Sequence, residues 1–282
     1  MKIIKDLTLG SERALYNTSD AFISSCTFEG VEDGESALKE CHDIKVEDCT
    51  FSLRYPLWHA SNFEVSKSRF TKTCRAPLWY DNKGIIKDIH VEGVKALREC
   101  TDIKIEHSYI DSEEFGWKCS ILDIKDTSII SQYAFFDSKD INISNIELTG
   151  KYSFQYVDNM VIKDSRLDTK DAFWHSHNVT VLNSVIKGEY LGWFSDGLTL
   201  INCQIIGTQP LCYCKNLKII DCEMINADLA FEYSDVDSSI KGDVISIKNP
   251  RSGRIILDSV NEIIKFDSVY ESTAVIEIRK NH

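Results

Sequence analysis

The segment Asp43-Ile44-Lys45-Val46-Glu47-Asp48-Cys49-Thr50-Phe51 decides the fold, because its pattern returns along most of the chain. Asp102-Ile103-Lys104-Ile105 leads in the same way to Ile110, and Asp140-Ile141-Asn142-Ile143 leads to Leu148. Asn159-Met160-Val161-Ile162 leads to Leu167, Asn178-Val179-Thr180-Val181 to Ile186, and Asn216-Leu217-Lys218-Ile219 to Met224. The closing apolar residues are Phe28, Phe51, Phe70, Val91, Ile110, Ile129, Leu148, Leu167, Ile186, Ile205 and Met224, with gaps of 23, 19, 21 and then 19 throughout. Five positions before each stands another apolar side chain: Ile23, Val46, Val65, Ile86, Ile105, Ile124, Ile143, Ile162, Val181, Leu200 and Ile219. A fixed period of this length marks a stack of structural repeats.

Apolar residues at i and i+2 are strand alternation, both pointing inward. The Asp or Asn before them suits a corner, since its side chain bonds nearby backbone. A second such column holds Asp48, Asp88, Asp126, Asn145, Asp164, Asn183, Asn202 and Asp221. Pro56, Pro77 and Pro210 share a column where each opens a strand without needing a ladder donor. Strand and corner in regular alternation make a solenoid whose coils touch only their neighbours. A left-handed hexapeptide helix needs an aliphatic residue every sixth position, and a pentapeptide helix an inward residue every fifth; neither register fits. The pattern predicts an all-β, single-stranded right-handed parallel β-helix of about 11–12 coils of about 19 residues. Residues 1–240 form the helix and 241–282 an irregular set of capping strands of the same domain. Within that cap, Val244–Lys248, Arg254–Leu257, Glu262–Phe266 and Ala274–Ile278 read as strands.

A formal net charge of −12 argues against a nucleic-acid partner or an acidic membrane surface. No run of about 18 apolar residues offers a membrane span. The opening Met1-Lys2-Ile3-Ile4-Lys5-Asp6 does not read as an export signal, so the ten cysteines are expected to be free thiols in a reducing cytoplasm. Cys26, Cys49, Cys203 and Cys222 fall in one column, and Cys41, Cys100, Cys119 and Cys214 in another. Both columns otherwise hold mostly Ser, Thr or Ala, as small inward residues would.

Function must be sought at a site rather than in the fold. The column 12 residues before each closure carries Tyr16, Lys39, Trp58, Trp79, Arg98, Trp117, Phe136, Gln155, Trp174, Trp193 and Cys212, and so every tryptophan of the chain. Because it also accepts Lys, Arg and Gln, it is expected on an outer face or a rim. Trp58, Trp79, Arg98, Trp117, Phe136, Trp174 and Trp193, with His59, Tyr80 and His175 of the next column, form a candidate binding face for an oligosaccharide. A second copy of the chain or another protein is the alternative occupant. Glu99, Lys118 and Asp137 share that next column, and Glu99 and Asp137 stand roughly 9–10 Å apart by coil spacing. That is near the separation of paired carboxylates that leaves room for a water. Asp158, His177 and Asp196 make a similar set two columns further on. Both are candidate acid–base groups, and both also read as rows of alternating charge that relieve one another's repulsion. His175 and His177 alone do not make a metal site, no nucleotide or zinc motif is present, and no cofactor is expected.

Arg54-Tyr55-Pro56-Leu57-Trp58-His59, Ala96-Leu97-Arg98-Glu99-Cys100, Asp171-Ala172-Phe173-Trp174-His175 and Gly207-Thr208-Gln209-Pro210-Leu211-Cys212-Tyr213-Cys214 resemble segments of an uncharacterised bacterial family of pectin-lyase-like β-helix proteins. The resemblance runs over nearly the whole chain and implies the fold and a bacterial origin. Some members carry a loose hydrolase label, and the family supplies no catalytic residues to transfer. The paired-aspartate, Gly-His-Gly and Arg-Ile-Lys signatures of polygalacturonases are missing. Arg54 and Arg75 share a column and could hold a uronate carboxylate or brace a turn. The expected function is binding or processing of an oligosaccharide or polysaccharide along the aromatic face, by a hydrolase or lyase if an enzyme. The alternative is a non-enzymatic scaffold or self-association module.

Overall fold

The computed structural model describes residues 1–30 and 34–279. The chain divides into two compact units, Met1–Ile146 and Glu147–His282. Each unit is built from parallel coils, and the fold is the expected right-handed parallel β-helix with turns of about 19 residues.

In the first unit, strands Ser61–Ser66, Asn82–Lys87, Thr101–Glu106 and Ser120–Lys125 pair side by side in parallel. Their register stacks Val65 on Ile86, Ile105 and Ile124. The same residues are buried while Lys104 and Asp123 between them face water, which is the two-residue alternation of a strand. Phe63 needs more room than its column allows, and Gly84 in the next coil provides it: a Cβ at Gly84 would strike the Phe63 ring. A second row stacks Phe70, Val91, Ile110 and Ile129. Phe28, Phe51 and Phe70 begin that row as a buried ring stack with centroids 4.6 and 4.7 Å apart.

The second unit repeats the plan. Asp158–Lys163, His177–Leu182, Thr199–Ile201 and Leu217–Ile225 align Ile162, Val181, Leu200 and Ile219. Leu148, Leu167, Ile186, Ile205 and Met224 form the second buried row. Parallel pairing then goes on past Met224, which is why the chain has about 14 turns and not the 11–12 counted from the repeat. Residues 241–282 hold Asp243–Lys248, Ser252–Leu257, Ser259–Ile264 and Val275–Ile278. All four pair in parallel, Asp243–Lys248 with Ser259–Ile264 and Ser252–Leu257 with Val275–Ile278.

The corners explain the Asp and Asn columns. Asp43, Asn62, Asp102, Asp140, Asn159, Asn178 and Asn216 all have φ near +50°, and so do Asp48, Asp88, Asp126, Asn145, Asp164, Asn183, Asn202 and Asp221. Asp and Asn tolerate this left-handed region better than other non-glycine residues. Two further corners repeat the conformation, one of them holding His59, Tyr80, Glu99, Lys118, Asp137, Tyr156, His175, Phe194 and Tyr213. Strain at a single residue would point to a site. Here it recurs in coil after coil and belongs to the architecture.

All ten cysteines are free and buried. Their columns sit where a corner leaves a backbone N–H without a ladder partner. Cys100 N–H donates to Cys119 Sγ (3.4 Å), Cys119 N–H to Ser138 Oγ (2.9 Å) and Cys214 N–H to Ser234 Oγ (2.9 Å). The other column works alike, Cys49 N–H donating to Ser68 Oγ at 3.0 Å and Cys203 N–H to Cys222 Sγ at 3.3 Å. Cys, Ser and Thr interchange there because each offers one acceptor in a small volume. Burial pushes the Cys41, Cys49, Cys74 and Cys212 thiols up to about 12.

Candidate functional site

Each unit presents its own aromatic face. In the first, Trp58 and Trp79 lie parallel with centroids 5.0 Å apart. The Arg98 guanidinium sits between Trp79 and Trp117, 5.1 and 5.2 Å from their rings, and Phe136 lies 5.0 Å beyond Trp117. His59 stacks on Tyr80 at 4.8 Å. In the second, Trp174 and Trp193 are parallel at 5.4 Å. Beside them Tyr156, His175, Phe194 and Tyr213 form a continuous stack at 4.9, 5.0 and 4.8 Å. One coil spacing, about 4.8 Å, is also a good ring-stacking distance, so successive aromatics of a column come within stacking reach.

This geometry fixes which parts of the rings a ligand can meet. All five tryptophans are half-buried. Trp79 has Trp58 on one side and Arg98 on the other, and Trp117 has Arg98 and Phe136. Their faces are therefore taken up between coils, and the surface they show is ring edge. The indole N–H groups are committed as well. Trp58 Nε1–H donates to the Ala76 carbonyl (2.8 Å), Trp79 to Lys95 (2.8 Å) and Trp117 to Tyr133 (2.5 Å). Trp174 donates to Tyr190 (2.6 Å) and Trp193 to Gln209 (2.8 Å). Each tryptophan thus ties down a turn of the following coil.

A pocket opens beside each tryptophan pair. The first, about 280 Å³, is lined by Tyr55, Trp58, Arg75, Trp79, Val94 and Lys95. The second, about 520 Å³ and more open, is lined by Lys151, Tyr152, Lys170, Asp171, Trp174, Tyr190 and Trp193. Asp171 is 6% exposed, and burial raises its carboxyl above the usual range against the opposing pull of Lys170 and Lys151. Lys170 pairs with Glu189 at 2.6 Å and lies 5.1 Å from the Tyr190 ring. Lys151 stands 4.5 Å over Tyr152.

Trp58, Trp79, Trp174 and Trp193 among the sequence candidates line these pockets, whereas Arg98, Trp117 and Phe136 continue the column without doing so. Glu99, Lys118 and Asp137 are exposed on neighbouring coils, Glu99 N–H donating to the Trp117 carbonyl and Lys118 N–H to Phe136. Asp158, His177 and Asp196 also fall in one row, with Asn178 on Asp158 at 3.4 Å and Asn216 on Asp196 at 2.7 Å. None of the six lines either pocket. Arg54 braces a turn through Glu35 at 3.3 Å, while Arg75 of the same column faces the first pocket. Sequence reasoning missed Lys151, Tyr152, Lys170, Asp171 and Tyr190. Their signal was present, since the lysines continue the column of Arg54 and Arg75, and Tyr152, Asp171 and Tyr190 continue that of Tyr55. Among the described residues no three His, Cys, Asp or Glu side chains gather as a metal site.

Residues 2–278 match a family described as a protein of unknown function, DUF3737. The chain belongs to that family. No curated protein matches this DUF3737 member. Among solved structures it is similar to HetL, a pentapeptide repeat protein involved in heterocyst differentiation regulation from the cyanobacterium Nostoc sp. strain PCC 7120. That likeness has 10% identity and a TM-score of 0.35, over 78% of this chain and 91% of that one. The A-module of the Azotobacter vinelandii mannuronan C-5 epimerase AlgE6 is similar at 10% identity and a TM-score of 0.32, over 99% and 89% of the two chains. The tailspike gp49 of Acinetobacter baumannii bacteriophage Fri1, a capsular polysaccharide depolymerase, is similar at 9% identity and 0.31, over 96% and 65%. No helix among the described residues is long and apolar enough to cross a membrane.

Proposed function

We propose that this DUF3737 member binds saccharide on the aromatic column of each unit, with sugar residues entering the pocket beside Trp58–Trp79 in the first and the pocket beside Trp174–Trp193 in the second. The observation that carries the reading is the repetition of one pocket design, a stacked tryptophan pair with tyrosine and basic side chains at its flank. Convergent polar groups beside apolar rings are the usual make-up of a small-molecule site. The reading is of binding. The rows Glu99, Lys118, Asp137 and Asp158, His177, Asp196 stand outside the pockets and are proposed as reactive groups only for a chain that extends past them. The ten free buried thiols support a cytoplasmic setting.

Acrylamide quenching of tryptophan emission, with and without a panel of oligosaccharides, tests this. All five tryptophans lie in the column concerned, so a bound sugar should shield part of the quenchable emission. Emission that no sugar alters would end the reading. One observation favours a second reading, self-association: Phe194 is 43% exposed although its faces are covered by His175 and Tyr213. Equilibrium sedimentation decides that reading, since a monomer at tens of micromolar would exclude it.

A further inference from the structure

We infer that both pockets select a negatively charged sugar, seating its carboxylate or sulfate on Arg75 in the first unit and on Lys151 in the second. This deepens the binding reading and rests on it.

The two pockets share more than tryptophans. Each holds two basic residues, and in each one of the two is neutralised. Lys95 pairs with Glu114 at 3.4 Å, and Lys170 with Glu189 at 2.6 Å. The other two, Arg75 and Lys151, have no carboxylate within ion-pairing distance among the described residues. In a chain of net charge −12, where carboxylates outnumber basic groups, a cation without an ion-paired carboxylate beside each tryptophan pair is a feature to explain, Arg75 on the coil of Trp79 and Lys151, against Tyr152, on the coil before Trp174. An incoming anion supplies the missing partner.

The rings favour the same ligand. An aromatic ring is negative on its faces and positive at its edge. Trp58 and Trp79 turn a face to each other, as do Trp174 and Trp193, so along the seam of each pair a ligand meets the positive rim. With every indole N–H already donating to a backbone carbonyl, the tryptophans offer no donor to the hydroxyls of a neutral sugar. The fork of Arg75 matches a planar carboxylate in two parallel hydrogen bonds, whereas Lys151 acts as a point charge that accepts either group.

The test titrates tryptophan fluorescence of the full-length protein with three oligosaccharides of equal length, one neutral, one carboxylated and one sulfated, at low and raised salt. The charged sugars should bind about tenfold more tightly than the neutral one, an advantage that salt erodes. The stronger of the two names the charged group. Arg75→Gln and Lys151→Gln, both surface changes whose folding is checked by circular dichroism, should each reduce the preference, and the double variant should abolish it. Equal binding of neutral and charged sugars would overturn the inference and leave the binding reading standing. Binding of none would overturn both. A preference that survives the double variant would overturn the placement on Arg75 and Lys151.

Discussion

At the residue scale the corners set the rules, and departures from them are informative. Ile121 stands where most other coils have Asp or Asn, with φ of 58° and 55% exposure. A β-branched side chain is at its worst in this region. Ile121→Asn should therefore stabilise the protein by about 1 kcal/mol, read as a higher urea midpoint at unchanged slope. Asp81 departs in the opposite sense. It occupies the Cys–Ser column, 1% exposed, with Oδ1 accepting the Ala60 N–H at 2.7 Å and Oδ2 without a partner among the described residues. Burial holds its carboxyl well above the usual carboxylate range. Between the unfolded value, about 4, and that raised folded value, the folded chain keeps a proton that the unfolded chain has lost, so stability falls as pH rises across this window. Asp81→Ser restores the column's small acceptor and should gain about 1 kcal/mol at neutral pH. The gain should shrink toward pH 4, and a gain independent of pH would refute the account. The Asp and Asn corners were legible in the sequence because their chemistry is local. The buried state of Asp81 was not, because an acid among small residues reads as a loop.

At the scale of the element, a column acts through the coil it belongs to and the next one along. The aromatic column was legible as a column, but its orientation was not. Stacking at coil spacing turns the faces inward along the axis, a consequence of geometry that composition does not carry. The indole N–H bonds follow from the same geometry and give the tryptophans a structural task besides any ligand. Trp79→Phe keeps a ring between Trp58 and Arg98 but leaves the Lys95 carbonyl without its donor. It should cost about 1–2 kcal/mol of unfolding free energy without loss of fold. Unchanged stability would mean that water replaces the donor freely. In the interior, Phe51 contacts a ring on each side, so Phe51→Ala removes two stacks and leaves a cavity. Chemical denaturation should show a loss of about 3–5 kcal/mol, against under about 1.5 kcal/mol for Phe51→Leu if stacking adds little beyond volume.

For the whole molecule, the fold was legible because one period dominates. Between Ile110 and Met224 the closing residues recur every 19 positions, so a single register accounts for strands, corners and core alike. Legibility fades where the period does. After Met224 the spacing between paired residues shortens, from 19 for Leu217 and Val236 to 18 for Cys222 and Ile240, with an irregularity between Ile219 and Cys222. It is 17 for Val236 and Gly253, 16 for Asp243 and Ser259, then 21 for Arg254 and Val275. The strands there were found from their own apolar patterns, but their parallel pairing could not be read without a constant repeat. The sequence repeat also crosses residues 146–147 with no change of spacing and no linker composition. We propose on that ground that the chain unfolds as one domain. In a repeat array, stability is a sum of coil and nearest-neighbour terms, and a break in cooperativity appears where a neighbour term is weak. Urea unfolding followed by far-UV circular dichroism reports on all coils. Tryptophan emission from a Trp58→Phe, Trp79→Phe, Trp117→Phe variant reports only on Trp174 and Trp193. Coincident transitions, each compared within that one variant, are the expected result. If emission changes at a different urea concentration from ellipticity, the two units unfold separately and the one-domain proposal fails.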